Sequence, residues 1–305
     1  MSISFYVKNK KKFLGYEKVL NVEEALTILD KELNTYNTGN IDINDLLLSP
    51  VSNYQCLLIG EAKVSARGFE LSYDNKNKDY AVRIFTPSSR EDWLLALEYI
   101  KALAKKFDSE IINERGEVYT VDNIDKFNYE SDILYGIEVI TSNMKSGKTD
   151  KYTIFGIDRV VSFNQEMLDK INNSDSPIDT FSNIVKEIQY LDAYSAHQQF
   201  YKNKADGKIM GAYTLTQNLR TILPYKPSVE FENSDIVKND EISCWNIGFV
   251  IINGDENDPN SYQVAGNLNY DDFIKKLPTD KYKFIDASYI IVEPLNRDDI
   301  EKMLK

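Results

Sequence analysis

Residues 2–7 (SISFYV) alternate apolar and polar side chains, the two-residue period of a half-buried strand. The period then changes. Asn21 precedes an apolar-periodic stretch over Val22 to Leu33, and Glu24 stands three residues on, the pair that reciprocally satisfies the first N–H groups of a helix. Residues 54–59 (YQCLLI), 67–73 (RGFELSY) and 80–85 (YAVRIF) read as strands, with the polar run Asp74 to Asp79 (DNKNKD) turning the last two into a hairpin. Pro87 stops the strand, Ser88 offers an N-cap with Glu91 behind it, and Trp93, Leu97, Ile100, Ala104 and Phe107 recur at helical spacing, which predicts a helix over 89–107. Strands at 109–113 and 117–121 follow around Glu114-Arg115-Gly116. A helix laid on an antiparallel sheet is the α+β arrangement.

Residues 133–141 (ILYGIEVIT) read as a further strand, and the polar connector Ser142 to Asp150 marks the expected domain boundary, giving domains 1–145 and 150–305. Strands at 151–156 and 159–163 and a helix at 165–172 come next. Ser176, Pro177 and Asp179 then start a helix expected to run from 177 to about 203. The remainder is strand-rich at 211–216, 219–224, 229–232, 245–252 and 261–265, followed by a helix capped by Asn269, strands at 282–285 and 288–292, and a last helix capped by Asn296. Shifting the chain by 180 residues aligns Gly68-Phe69 with Gly248-Phe249, Asp92-Trp93 with Asp272-Phe273 and Leu97 with Leu277. The expected fold is therefore α+β in two domains, each an antiparallel or mixed sheet covered by helices, with 68–112 and 248–292 as distantly duplicated ββαβ units.

Composition narrows the function classes. Of 305 residues, 36 are Lys or Arg and 48 Asp or Glu, a net charge of −12, and 42% are apolar with 12% aromatic, ample for packed cores. The longest apolar run, Trp245 to Ile252, is far short of the roughly twenty residues of a spanning helix. Cys56 and Cys244 lie far apart in apolar contexts, and the N-terminal lysines follow an apolar stretch, the reverse of a signal peptide. Reduced, buried thiols in a cytoplasmic protein are expected, with no membrane as a partner. The negative balance also argues against nucleic acid, and Lys8 to Lys12 (KNKKK) reads as a solvated loop after the first strand. Acidity suits a basic partner.

Candidate chemistry is sparse. Gly147-Lys148-Thr149 ends like a phosphate loop but lacks the earlier glycine, since position 142 is Ser142. The stretch Gly254 to Asn260 has a calcium-loop composition, yet Pro259 falls on a ligand position and Gly266 stands where a bidentate Glu is needed, so it reads as a hairpin loop. His197 is the single histidine, which removes His-His metal pairs and leaves a Cys-His nucleophile formally open with Cys56 or Cys244. Asp271-Asp272 and Asp298-Asp299 sit in helix first turns, where the dipole explains them. No catalytic, cofactor or metal residues are assigned. On the long helix, Phe181, Ile184, Ile188, Leu191 and Ser195 should face the core. The offset line Tyr190, Tyr194, His197 and Tyr201 is either ordinary tyrosine packing or a partner-binding or self-association face, with core burial favoured for at least two of the three rings.

Three stretches carry a resemblance: Arg90 to Trp93 with Ala96 to Lys106, the run Glu114 to Tyr119, and Gln189 to Tyr201. With the opening MSISFYVKN, the chain resembles an uncharacterised family of bacterial proteins of unknown function from low-GC Gram-positive bacteria and relatives. The resemblance implies bacterial, cytoplasmic residence and no site residues. The expected function is a non-enzymatic protein-binding module, an adaptor or an immunity-type inhibitor of a basic partner. The alternative is an enzyme on a small molecule through dispersed carboxylate, Tyr or Cys chemistry.

Overall fold

The computed structural model describes residues 1–39, 41–147 and 149–305. Lys148, the centre of the Gly-Lys-Thr triplet, lies outside them. The chain divides into two compact units, Met1–Tyr190 and Leu191–Lys305.

In the first unit the elements are, in order, β1 (Ser2–Lys8), α1 (Val22–Leu26), β2 (Leu33–Thr35), α2 (Ile43–Leu48), β3 (Leu57–Glu61), β4 (Phe69–Asp74), β5 (Asp79–Phe85), α3 (Arg90–Phe107), β6 (Ile111–Asn113), β7 (Val118–Tyr119), α4 (Tyr129–Lys145), β8 (Tyr152–Phe155), β9 (Val160–Phe163), α5 (Gln165–Asn172) and α6 (Pro177–Gln189). Seven strands form one antiparallel sheet in the order β2-β3-β4-β5-β1-β6-β7. The alternation read in residues 2–7 places Ile3, Phe5 and Val7 on the buried face, where α3 lays Trp93, Ala96, Leu97, Ile100 and Leu103. Aromatic rings lock this layer: Trp93 stacks on Phe127 at 5.4 Å, and Tyr80 on Phe107 at 4.9 Å.

Asn21 and Glu24 form the expected capping box, but the helix they open stops at Leu26. The N-cap of α3 is Ser89 and not Ser88: the Ser89 side chain accepts from Asp92 N, while Ser88 Oγ donates to the Asp92 carboxylate. Residues 133–141, expected as a strand, are the middle of α4: Ile133, Ile137, Ile140 and Met144 recur at helical spacing and are buried, while Asn128 caps the start by accepting from Ser131 N. The polar connector after Lys145 therefore leaves a helix and leads to β8, inside the first unit, and the division of the chain falls after Tyr190 instead.

The helix from Pro177 ends at Gln189 and does not continue to 203. Arg159 explains the stop. Its Nη1 donates to the carbonyls of Ile188 at 3.1 Å and Gln189 at 2.6 Å, occupying acceptors that a continuing helix would use. The Gln189 side chain turns back as well, its Oε1 accepting from Asp158 N and Arg159 N. It lies against Gly156, where an added Cβ would stand 2.3 Å from that oxygen.

The second unit contains β10 (Tyr194–Ser195), β11 (Gln199–Lys202), β12 (Ile209–Thr216), β13 (Thr221–Pro224), β14 (Ile242–Ile252), β15 (Tyr262–Asn269), α7 (Tyr270–Lys276), β16 (Tyr282–Phe284), β17 (Tyr289–Val292) and α8 (Arg297–Leu304). Two four-stranded sheets, β11-β12-β14-β15 and β10-β13-β17-β16, share one core with α7 and α8, built on Tyr213, Leu215, Leu223, Ile247, Phe249, Phe273, Ile290 and Ile300. The architecture is α+β. Residues 229–232 are an irregular segment closing in a short 3-10 turn at Phe231–Asn233, without strand pairing. The duplication idea fails on topology. In 68–112, β6 joins the sheet of β4 and β5 through β1, whereas in 248–292 the matching strand β17 belongs to the other sheet from β14 and β15.

Candidate functional site

The tyrosine line is not a helical stripe. Tyr190 is the C-cap of α6 in the first unit, and its hydroxyl donates to Ser65 O at 2.6 Å, tying the helix end to the loop before β4. Tyr194 lies on β10 and Tyr201 on β11, both about half exposed, and His197 is exposed between the two strands. All three tyrosines are at least 38% exposed, so core burial is overturned. Leu191 and Ser195, expected on the core face of the same helix, leave it too, and Ser195 pairs with Ile222 on β13. Tyr194 and His197 still meet, edge to face with centroids 5.9 Å apart.

Gln198 organises this region. Its Nε2 donates to Tyr213 Oη and to Ser228 O, both at 2.6 Å, and its Oε1 accepts from Glu230 N at 3.0 Å and Asn233 Nδ2 at 3.1 Å. A single amide side chain thus fills four hydrogen bonds and pins the 228–233 segment beside the 194–202 strands. Val237, buried, and Val229 N donating to Asn239 Oδ1 hold the far side of the same loop. Between these ties Phe231 and Ile236 stand 76% and 75% exposed. Glu232, Asp235, Asp240 and Glu241 surround them in sequence.

The buried side of the network is Tyr213, which stacks on Trp245 at 5.8 Å and meets Tyr270 at 5.7 Å. Trp245 lies over Gly211, where an added Cβ would come within 2.4 Å of the indole; only glycine leaves room for that ring. Burial pushes the Tyr213 phenol far above its ordinary range, with the Glu230 charge adding to it. Burial also raises the Glu230 carboxyl, against the hydroxyl that Tyr213 offers it at 3.4 Å. A phenol and a carboxyl of raised affinity for protons could pass one between them. They are instead spent on each other and on Gln198.

Two grooves lie elsewhere, in the first unit. One of about 500 Å³ is lined by Thr27 to Glu32, and one of about 650 Å³ by Glu24, Thr27, Ile28, Ala102, Lys105 and Lys106. Other chemistry-bearing residues are occupied structurally. Cys56 and Cys244 are free, half-buried thiols, and Asn37 donates to the Cys56 carbonyl. The loop 254–260 joins β14 to β15, and Asp255 and Asp258 accept hydrogen bonds from Asn257 and Asn260, the self-contained turns of a hairpin connection. Asp271 and Asp299 lie in the first turns of α7 and α8. Among the described residues no group of three or more His, Cys, Asp and Glu side chains is placed to hold a metal ion.

Sequence reading brought Tyr194, His197 and Tyr201 forward but missed Phe231, Ile236 and Gln198. The available signal was three apolar residues, Phe231 and the adjacent Ile236 and Val237, inside an otherwise polar, mostly acidic and aperiodic stretch, Glu230 to Glu241.

The model for a domain of unknown function, DUF4299, matches residues 2–303 of the chain. No curated protein and no solved structure matches it. With nearly every residue covered, the chain belongs to the DUF4299 family.

Proposed function

We propose that the chain is a protein-binding module whose second unit docks a basic partner through Tyr194, His197, Tyr201, Phe231 and Ile236. The observation that carries the reading is the pair Phe231 and Ile236, held three-quarters exposed in a loop that Gln198 and Val237 fix in place. Apolar groups kept in water by a tied loop cost solvation and return it only when a partner covers them. Glu232, Asp235, Asp240 and Glu241 flank the pair along the chain against the single Lys238, an acidic setting suited to Lys- and Arg-rich surfaces, which favours fast, salt-sensitive association. An enzyme would instead place its perturbed groups in a concave site, whereas Tyr213 and Glu230 face their own network. The role as adaptor or as inhibitor of a basic protein, and cytoplasmic residence, belong to the same proposal.

The test is affinity capture from the native host with the parent and two variants, Phe231→Ser/Ile236→Ser and Glu232→Lys/Asp240→Lys, followed by identification of the captured chains. The reading requires a basic protein that the parent holds and both variants release. It fails if the captured proteins are the same for all three, or if the protein lost is acidic. Association of the purified parent with itself, abolished by the first variant alone, would replace the foreign partner with a second copy.

A further inference from the structure

The lysine-rich run read as a plain solvated loop has a more specific shape. After β1 the chain forms a tight hairpin: Glu17 N donates to Lys10 O at 2.8 Å, Lys11 bridges Tyr16, and Lys12 N donates to Gly15 O at 2.9 Å. Phe13 and Leu14 are therefore the two central residues of the turn. The left-handed backbone of this turn falls on Gly15, at φ +88°, and leaves the two central positions open to any residue. Here they carry two large apolar side chains, 101% and 87% exposed, the most exposed large hydrophobics among the described residues. The base of the hairpin is rigidly set: buried Asn9 donates through Nδ2 to Glu17 O at 2.8 Å and to Tyr73 Oη at 3.1 Å.

Cations gather behind the tip. Lys10, Lys11 and Lys12 are exposed on the first arm of the hairpin. The β4–β5 turn, with Lys76 and Lys78, abuts the hairpin base, since Asn9 N donates to Lys78 O at 2.8 Å. The end of α3, whose last turn carries Lys105 and Lys106, is adjacent through Lys10 Nζ and Asp108 Oδ2 at 3.8 Å. Carboxylates offset part of this charge, Glu17 pairing with Lys12 at 2.8 Å and Asp108 with Lys10, and Asp74 and Asp79 flank the β4–β5 turn, but these four face seven lysines, a local reversal of sign in a protein of net charge −12.

We infer that the Lys10–Tyr16 hairpin is a peripheral docking element for an anionic lipid surface, with Phe13 and Leu14 entering the acyl boundary and the lysines meeting the headgroups. The dimensions agree. At roughly 3.3 Å per strand residue, Lys12 and Lys11 sit about 3–7 Å behind the tip, within the roughly 5–10 Å over which interfacial elements bury their apolar side. A convex two-residue tip also suits a fluid lipid boundary better than a protein, which would need a matching pocket. The expectation that no membrane is a partner rested on the lack of a spanning segment, and peripheral docking does not require one; no helix among the described residues is long and apolar enough to cross a membrane. This inference is independent of the docking role proposed for the second unit.

The experiment is co-sedimentation of the full chain with vesicles of phosphatidylcholine alone or with roughly 30 mol % phosphatidylglycerol, at about 0.1 M and about 0.5 M salt. The parent should bind the anionic vesicles at least about ten-fold better than the neutral ones, and lose that preference at high salt. Phe13→Ser/Leu14→Ser should weaken anionic binding about ten-fold, and Lys10→Gln/Lys11→Gln/Lys12→Gln comparably, with circular dichroism and thermal melting matching the parent because all these side chains are exposed. Phe13→Trp, made in a background with both native tryptophans replaced by Phe, should show a blue-shifted emission on anionic vesicles only. Equal, negligible binding to both vesicles would overturn the inference and leave an acidic protein pocket as the occupant. Parent-like binding by the double serine variant, or an unshifted emission from the Phe13→Trp variant, would overturn insertion of the tip.

Discussion

Asp92 is a residue whose replacement the structure makes costly. Its carboxylate, fully buried at the start of α3, accepts from the backbone N–H groups of Arg67 at 2.8 Å, Gly68 at 2.9 Å and Ala66 at 3.2 Å, and from the hydroxyls of Ser89 at 2.7 Å and Ser88 at 3.3 Å. These bonds fold the 65–68 loop onto the helix. They also serve Gly68, which adopts φ +64° and would place any Cβ 2.3 Å from Ile59 O. In Asp92→Asn one oxygen remains for Gly68 and Ala66, while the new amide nitrogen faces Arg67 N–H, donor against donor. Leaving that buried N–H unpaired costs about 1–3 kcal/mol, and removing the charge weakens the two retained bonds by a further ~1 kcal/mol or so each, for a total of about 3–5 kcal/mol. Asp92→Ala strands all three N–H groups and should cost about 5 kcal/mol or more. Urea unfolding followed by tryptophan emission measures this in a Trp245→Phe background, where Trp93, the residue after Asp92, reports on the first unit alone. An Asp92→Asn transition within about 1 kcal/mol of the parent would refute the argument that this carboxylate holds the loop.

Further outcomes are expected from other residues. Tyr194→Ala, with a ring about half exposed, should change the unfolding free energy by well under about 1 kcal/mol in a denaturant titration, where a core ring would cost about 3 kcal/mol or more. Asp132, buried and accepting from Thr86 Oγ1 at 2.9 Å, has its carboxyl raised above the ordinary 3.8, chiefly by burial. Its folded form therefore binds the proton more tightly, so its contribution is full below the unfolded value and is lost as pH rises through the folded one; the melting temperature of Asp132→Asn relative to the parent should climb as pH rises above the ordinary 3.8. A falling or flat difference would contradict the burial argument. Gly211→Ala should destabilise the second unit by about 1–3 kcal/mol and perturb Trp245 emission, because the methyl enters the space of the indole.

Much of the fold was legible where local signals and tertiary packing agree. The β4–β5 hairpin, α3, α5 and the Asn269 and Asn296 caps fall where turn chemistry, apolar spacing and N-cap residues place them. The failures have separate causes. Five of the nine residues 133–141 are β-branched and Leu134 and Tyr135 add further apolar bulk, which hides the helical spacing that α4 uses. The end of α6 is dictated by Arg159, some thirty residues earlier in the chain, and no sequence window around Gln189 contains it. The tyrosine line was read from a helical period that does not exist beyond Gln189, so its residues were identified without their geometry. Phe231 and Ile236 belong to an irregular loop whose shape depends on Gln198, another distant partner.

The second unit threads its two sheets in alternation: β10 in one, β11 and β12 in the other, β13 back in the first, β14 and β15 again in the second, then β16 and β17 in the first. The parallel pair β12–β14 is joined by a connection that carries β13 in the other sheet. Neither sheet is thus a contiguous stretch of chain that could form first and wait. The unit should gain its structure in a single late step dominated by sequence-distant pairings, which makes it a slow folder for its size. A chain cut before residue 282 would leave β13 without its β17 neighbour and expose the inner face of both layers at once. Truncations and engineered fusions should for that reason be tolerated after Leu304 and not at the loops between sheets.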